Sequence, residues 1–186
     1  MKPIIFSTPM VRAILDGRKT QTRRVIKING CPITSPKESL ELTKEGLIYH
    51  SFCSMSGYYK LLCQPGDILW VRETWSKDEN GEYVYRANYG TTEDDSFPPS
   101  MFKWRPSIHM PREAARIFLR ATNVRVERVQ DITAHDAIRE GMESEIPFDT
   151  VDEFKELWNN LNAKRGYGWD TNPWVWVYEF EKINKE

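Results

Sequence analysis

The chain has few cysteines and no long apolar segment. Its three cysteines are Cys31, Cys53 and Cys63, and none forms a C-x-x-C pair. An odd number without that spacing argues against both a disulfide framework and a thiol-rich zinc site. No apolar run approaches the roughly 20 residues of a membrane-spanning helix, and the run at 4–6 is too short for a signal peptide. The sequence therefore predicts a cytoplasmic protein without a membrane partner.

An excess of charge of either sign is also missing. The 26 Lys and Arg residues against 27 Asp and Glu residues give a formal net charge of -1. This balance provides no global attraction to nucleic acid, so any anion site has to be local. Basic residues concentrate at 18–27 and 112–128, whereas 93–95 and 131–156 are mostly acidic. A groove lined by the two basic segments would steer a phosphate-bearing ligand.

Histidine is scarce, and several familiar catalytic motifs are missing. His50, His109 and His135 have no second ligand at metal-site spacing except Asp136 beside His135, so the sequence predicts neither a metal nor a cofactor. There is no Gly-x-Ser-x-Gly elbow of a serine hydrolase. The segment 17–20 lacks an adjacent Gly-Lys and follows a helix instead of opening one, which excludes a phosphate-binding loop. A hydroxyl, an amine and a carboxylate remain as candidates for chemistry.

At 186 residues the chain is long enough for one well-buried domain. Apolar periodicity predicts strands at 4–6, 20–28, 68–75, 83–87, 116–129 and 174–180, with an inserted hairpin at 46–63, a hairpin over 68–87 and a long flap at 90–110. Capping signals predict short helices after Ser7, Thr133 and Thr150. This order favours the α+β class, with an antiparallel sheet that closes, or partly closes, into a small barrel.

The segment 17–24, Gly-Arg-Lys-Thr-Gln-Thr-Arg-Arg, is the candidate floor of an active site. We expect Gly17 to bend the chain after the first helix, because glycine adopts the left-handed conformation without a Cβ penalty. Burial would lower the pKa of Lys19 and allow it to activate the Thr22 hydroxyl as a nucleophile. The alternative interpretation is a solvated basic turn. Strand alternation divides the segment into Arg18, Thr20, Thr22 and Arg24 on one face and Lys19, Gln21 and Arg23 on the other.

Tryptophan is abundant, and its seven residues exceed what a core of this size obviously needs. Trp104 and Trp169 lie beside loop signals and are predicted to line a pocket for a flat ligand, where bases stack on aromatic rings. Trp174 and Trp176 share one face of the last strand, and we expect both to pack inward.

Several segments together resemble the ASCH domain family of the PUA-like superfamily. They are 17–24, Pro-Gly-Asp-Ile-Leu-Trp-Val-Arg at 65–72, Ile-Thr-x-x-Asp-Ala-x-x-Glu-Gly at 132–141 and the terminal aromatic strand. The larger phage and prophage members are the most similar, through 70–75, 104–111 and 164–169. The resemblance spans nearly the whole chain. It implies one ASCH-type domain over 1–186, a small β-barrel flanked by helices, and insertions at about 28–63 and 76–112 relative to minimal members.

The resemblance also implies site residues. Characterised small bacterial members include an N4-acetylcytidine amidohydrolase whose lysine, threonine and glutamate fall by motif on Lys19, Thr22 and Glu140. By this analogy Thr22 attacks the amide carbonyl, Lys19 takes its proton or holds the oxyanion, and Glu140 passes a proton to the leaving amine. A carboxylate at a helix C-terminus is disfavoured by the helix dipole, which favours a functional role for Glu140.

The expected ligand is a nucleoside or an RNA segment, and the sequence indicates no oligomeric state. Other family members are RNA-binding or ribonucleolytic, so a non-catalytic RNA or modified-base binding module and a ribonuclease remain alternatives. A virion or host-takeover interaction protein that uses 76–112 is a third. The substrate-binding residues that we expect are Arg18, Arg23, Arg24, Arg72, Trp104 and Trp169.

Overall fold

The computed structural model describes residues 1–28, 31–32, 39–42, 47–52, 55–90, 101–143 and 150–184; over 28–60 it describes the backbone alone. The predicted flap therefore lies partly outside the described residues, at 91–100. In the part of the chain so described, no helix combines the length and the apolar character needed to cross a membrane.

The described segments contain three α-helices: α1 (Thr8–Leu15), α2 (Ala134–Arg139) and α3 (Thr150–Asn162). The strands in chain order are β1 (Lys2–Ile5), β2 (Gln21–Val25), β3 (Lys27–Ile28), β4 (Cys31–Pro32), β5 (Ser39–Leu42), β6 (Leu47–Phe52), β7 (Met55–Lys60), β8 (Ile68–Arg72), β9 (Trp75–Lys77), β10 (Tyr83–Tyr85), β11 (Phe118–Arg128) and β12 (Trp174–Ile183). The α+β class predicted from the sequence is confirmed.

The main sheet has five strands in the order β1-β8-β11-β12-β2. β1 runs parallel to β8, and the other neighbouring pairs are antiparallel. The predicted closure into a barrel is not confirmed, because β1 and β2 form two separate edges of the sheet. The Arg24 guanidinium of β2 donates a hydrogen bond to the Ile5 carbonyl of β1 at 2.7 Å, so a side chain connects the two edges where a barrel would have a backbone ladder.

One further pairing differs from the expected one, and the position of the last strand is new. The predicted hairpin over 68–87 is reduced to β9 and β10, because β8 pairs with β1 and β11 in the main sheet. β12 lies inside the sheet between β11 and β2. The inserted hairpin is present as β6 and β7, with β5 as a third strand in a separate small sheet.

Alternate residues of β12 supply apolar cores on the two faces of the sheet. Trp176, Tyr178 and Phe180 belong to the cluster that also contains Val11 and Ile14 of α1. Val175 and Val177 pack with Phe154 and Trp158 of α3. Of the two tryptophans expected to pack inward, Trp176 is buried and Trp174 is half-buried. The helices α1 and α3 therefore cover opposite faces.

Register places the residues of β2 on these two faces. Thr22 and Arg24 lie opposite Tyr178 and Trp176, and Arg23 lies opposite Val177. Since paired residues project from the same face of a sheet, Thr22 and Arg24 share the α1 face while Arg23 points toward the α3 face. This is the alternation that the sequence predicts for 20–24.

The position of Cys63 in the core leads us to expect a thiol of low reactivity. The thiol is completely buried, and burial raises its pKa to about 11. Since the thiolate is the reactive form, Cys63 is expected to resist alkylation by iodoacetamide at pH 8 in the folded protein and to react fully in denaturant. Mass spectrometry of the peptide that carries Cys63 measures this; rapid labelling under native conditions would contradict the burial of the Cys63 thiol.

Candidate active site

Lys19 lies at the turn between α1 and β2. Gly17 has a φ of +80°, in the left-handed region that the sequence predicts for it. The Lys19 amide then donates to the Ala13 carbonyl at 2.9 Å, which directs its side chain beneath the helix. Lys19 is 2% exposed, and its ammonium donates to Glu140 Oε2 at 2.7 Å and to the Glu140 carbonyl at 2.8 Å. The amine and the carboxylate, far apart in sequence, are in direct contact.

Glu140 is held by the C-terminal end of α2. Thr133 caps this helix by accepting a hydrogen bond from the Asp136 amide at 3.1 Å. Gly141, immediately after Glu140, has a φ of +99°. A Cβ atom there would lie 2.9 Å from the Ala13 Cβ and 3.4 Å from the Lys19 Cβ. Glycine at this position allows the end of α2 to approach α1 closely, so that the carbonyl oxygen and Oε2 of Glu140 both reach the Lys19 ammonium.

Arg23 provides a second cation for Glu140. Its guanidinium donates to Glu140 Oε1 at 3.0 Å and to Glu127 Oε1 at 2.8 Å, and lies 3.5 Å from Asp136. These contacts belong to a larger network that continues across β11 and β12. The network consists of Lys19, Arg23, Arg125 and Arg139 as cations and Glu127, Asp136, Glu140 and Glu179 as anions.

The network changes the interpretation of the second basic segment, 112–128. Arg125 contacts carboxylates of Glu127, Asp136 and Glu179. Arg116 makes a two-point ion pair with the buried Glu73, in which Nε and Nη2 each donate to a carboxylate oxygen at 2.9 Å. Arg116 and Arg125 are therefore neutralised by carboxylates and are not available to line the anion-binding groove that the sequence predicts.

The environment of Lys19 favours proton exchange. Burial lowers the pKa of Lys19 from its ordinary value of 10.5, while contact with Glu140 opposes that shift. The nearby guanidinium groups of Arg24 and Arg23 lower the pKa further. A lysine in this setting can release and recover a proton more readily than an exposed lysine.

Thr22 and Glu140 face the same cavity of about 570 Å³, which lies along the free edge of β2. Thr22 is 3% exposed, and no side chain in the described part of the chain hydrogen bonds to its hydroxyl. Lys19 lies behind Glu140 and does not line the cavity. The aromatic and apolar walls are formed by Phe6, Met10, Phe154, Leu157, Trp158, Leu161 and Tyr167.

A larger, shallower groove of about 690 Å³ lies between the two sheet edges. It shares Ile5 and Arg24 with the cavity but contains neither Thr22 nor Glu140. Since the hydroxyl and the carboxylate meet only in the smaller cavity, the candidate chemistry belongs there.

Of the predicted substrate-binding residues, Arg23 and Arg24 line the cavity. The other four lie elsewhere. Arg18 pairs with Asp16 and Glu143 at the surface, and Arg72 stacks over Trp70 and donates to the Ile108 carbonyl.

The two predicted stacking tryptophans also lie away from the cavity. Trp104 packs with Tyr89 and Phe102. Trp169 contacts Phe154 edge-on, with ring centroids 6.4 Å apart. Neither ring lines the cavity wall, so both are placed to support other aromatic residues rather than to contact a ligand there.

Sequence reasoning missed the residues at the cavity mouth. Tyr167 follows the turn at Gly166, where φ is +83°, and its carbonyl accepts a hydrogen bond from Trp158 Nε1 at 2.8 Å. The Lys27 ammonium lies 4.6 Å from the centre of the Tyr167 ring. The sequence shows both the aromatic loop that contains Tyr167 and the basic segment that ends at Lys27. It does not show that these two residues, 140 positions apart, lie close together.

Comparisons with known proteins give little information. No family model matches the chain, and no curated protein matches it. Among solved structures, the crystal structure of protein EF3133 from Enterococcus faecalis, described under the family model DUF984, covers 99% of this chain and 82% of its own, with 11% identity and a TM-score of 0.46. Similarity at this level assigns neither a fold nor a function.

Proposed function

We propose that the chain is an ASCH-type amidohydrolase that removes the acyl group from an N4-acylated cytidine-type nucleoside. The observation that supports this function is the placement of Thr22 and Glu140 on one aromatic-lined cavity, with the buried Lys19 amine bound directly behind Glu140. The motif resemblance supplies the substrate class. In this proposal the open sheet corresponds to the PUA-like barrel of that family.

The cavity suits a nucleoside in size and in lining. Small-molecule sites typically have volumes of about 300–1,000 Å³ and combine apolar walls with a few polar groups. This cavity has a volume of about 570 Å³ and aromatic residues on two sides. A pyrimidine ring stacked on such a wall would present its exocyclic amide to Thr22.

The proposed reaction uses three side chains and water. The Thr22 oxygen bonds to the acyl carbon, and its proton passes through the Glu140 carboxylate to the neutral Lys19 amine. The bond from carbon to nitrogen then breaks, and the same proton returns through Glu140 to the leaving amino group of cytidine. Water hydrolyses the acyl-threonine ester and releases the carboxylic acid. The lowered pKa of Lys19 makes the neutral amine accessible, and Arg23 keeps Glu140 oriented.

Removing either cavity group is expected to lower the release of cytidine from N4-acetylcytidine by about 100-fold or more, the usual contribution of a positioned acid, base or nucleophile. The variants are Thr22→Val and Glu140→Gln, which keep side-chain volume. Chromatographic measurement of kcat/KM tests them. Matched controls are Thr20→Val, whose hydroxyl contacts Arg139 outside the cavity, and Glu143→Gln at the surface.

Thermal unfolding of each variant separates lost chemistry from lost folding. Equal turnover in wild type and Thr22→Val, with both proteins folded, would end the proposal. Loss of turnover in Thr20→Val to the same extent as in Thr22→Val would also count against a specific role for the Thr22 hydroxyl.

A non-catalytic binding module is the second candidate function. The observation that favours it is that Glu140 already forms ion pairs with both Lys19 and Arg23. A buried ion network with a purely structural role would have the same arrangement. This candidate predicts salt-dependent RNA affinity that falls in Arg24→Ala, together with no acyl release from any N4-acylated cytidine.

A further inference from the structure

We propose that the cavity mouth is an anion subsite formed by Arg24, Lys27 and Arg165, and that the ligand carries a phosphate group. This inference rests on the proposed function and narrows it: the preferred substrate is an N4-acylated cytidine nucleotide, free or within an RNA strand, and not the neutral nucleoside.

The charge of the cavity wall is the first argument. Its charged lining residues are Arg23, Arg24, Lys27, Arg165 and Glu140. Glu140 is the single carboxylate among them and is already bound to Lys19 and Arg23. Arg24, Lys27 and Arg165 make no ion pair with any acid in the described ranges. The mouth therefore carries three exposed cations that form no salt bridge within the described ranges.

The position of these cations is the second argument. Lys27 and Arg24 come from the β2–β3 side, and Arg165 comes from the turn after α3 on the opposite side. Two of them lie against rings that line the same cavity: Lys27 is 4.6 Å from the Tyr167 centroid, and Arg24 is 5.5 Å from the Phe6 centroid. A ligand with a flat ring and an adjacent anion would contact both the aromatic walls and the charged mouth.

The energetic argument concerns like charges. Three cations around one opening repel each other, and a neutral nucleoside would gain nothing from them. A phosphate accepts charge-assisted hydrogen bonds from guanidinium and ammonium groups and would relieve that repulsion. Lys27 and Arg165 are exposed and make no contact with the Lys19 network, so both are accessible to a ligand, whereas Arg24 also donates to the Ile5 carbonyl between the two sheet edges.

The test compares three substrates: N4-acetylcytidine, its 5′-monophosphate and a short single-stranded RNA that contains one N4-acetylcytidine. The wild type is expected to show a kcat/KM about 10-fold or more higher for a phosphorylated substrate, equivalent to about 1.4 kcal/mol. In the double variant Lys27→Gln/Arg165→Gln, the kcat/KM values for the phosphorylated and the neutral substrate should differ by less than about 2-fold. The two phosphorylated substrates distinguish a terminal phosphate from a phosphodiester.

The control is Lys77→Gln/Lys164→Gln, which removes the same charge. Lys77 stacks on Tyr83 much as Lys27 stacks on Tyr167, and Lys164 is the neighbour of Arg165, yet neither lines the cavity. The control is expected to keep the wild-type ratio. Equal kcat/KM for nucleoside and both phosphorylated substrates, or an equal fall in control and test variants, would overturn the subsite.

A binding measurement separates this inference from the proposed function. Calorimetry with cytidine 5′-monophosphate and with cytidine requires no turnover. Tighter binding of the monophosphate, lost in Lys27→Gln/Arg165→Gln, would support the subsite even if no acyl group were released from any substrate. Equal affinity for the two ligands would refute the subsite and would leave an observed nucleoside hydrolysis intact.

Discussion

Glu140→Ala is expected to lower the free energy of unfolding by about 3 kcal/mol, at the lower end of the range for breaking a buried ion pair. The variant leaves the Lys19 ammonium, which is 2% exposed, without a carboxylate. Arg23 keeps Glu127, and Lys19 keeps the carbonyl of residue 140, which is why the upper end of the range is not expected. Urea denaturation at pH 7 measures the change.

Two comparisons make this test specific. Glu143→Ala breaks a surface pair with Arg18 and should cost less than about 1 kcal/mol. In Glu140→Ala the pKa of Lys19 falls further below its unfolded value, so the folded state binds fewer protons than the unfolded state and stability rises with pH. The difference in free energy of unfolding between wild type and Glu140→Ala should therefore become smaller as pH increases from 7 to 9.5. A gap below about 1 kcal/mol at pH 7 would contradict a tightly buried pair.

Gly141→Ala is expected to lower the free energy of unfolding by about 2 to 5 kcal/mol, through two separate effects. A residue with a Cβ pays about 1–2 kcal/mol in the left-handed region that a φ of +99° requires. The new methyl group would also lie 2.9 Å from the Ala13 Cβ, and overpacking adds about 1–3 kcal/mol. The end of α2 must then move away from Lys19, so acyl release should fall together with stability.

Gly17→Ala isolates the backbone effect. Gly17 has a φ of +80°, but a Cβ there meets no atom within 4 Å. The free energy of unfolding of this variant should be only about 1–2 kcal/mol lower than that of the wild type. Equal losses in Gly17→Ala and Gly141→Ala would show that the approach of α2 to α1 is not tight.

Local structure could be predicted because each signal lies within a few residues. Gly17 terminates the first helix as expected, and the alternation of Thr22 and Arg23 follows from the twofold period of a strand. The length of β11 was predicted from alternating apolar residues. The pairing order was not, because the parallel neighbour of β1 and the interior position of β12 depend on contacts across more than 60 residues.

The cavity could be predicted only in part. Motif resemblance selected Lys19, Thr22 and Glu140, which the structure brings to one region. A stripe of apolar residues on α3 predicts burial, but its period cannot show that all four of its members line an open cavity or that Phe154 and Trp158 also pack against β12. The sequence predicts Trp169 as a ligand contact, whereas Tyr167, two residues earlier, is the aromatic residue of that loop that lines the cavity.

The interior position of β12 has a consequence for the order of events during synthesis. β2 is synthesised before its backbone partner, which is a strand more than 140 residues further along the chain. Until residues 174–183 emerge, Thr22, Arg23 and Arg24 have no sheet to hold them, and the nascent chain exposes an unpaired strand that chaperones can bind. The sheet edge that carries the candidate site can therefore form only after β12 has been synthesised.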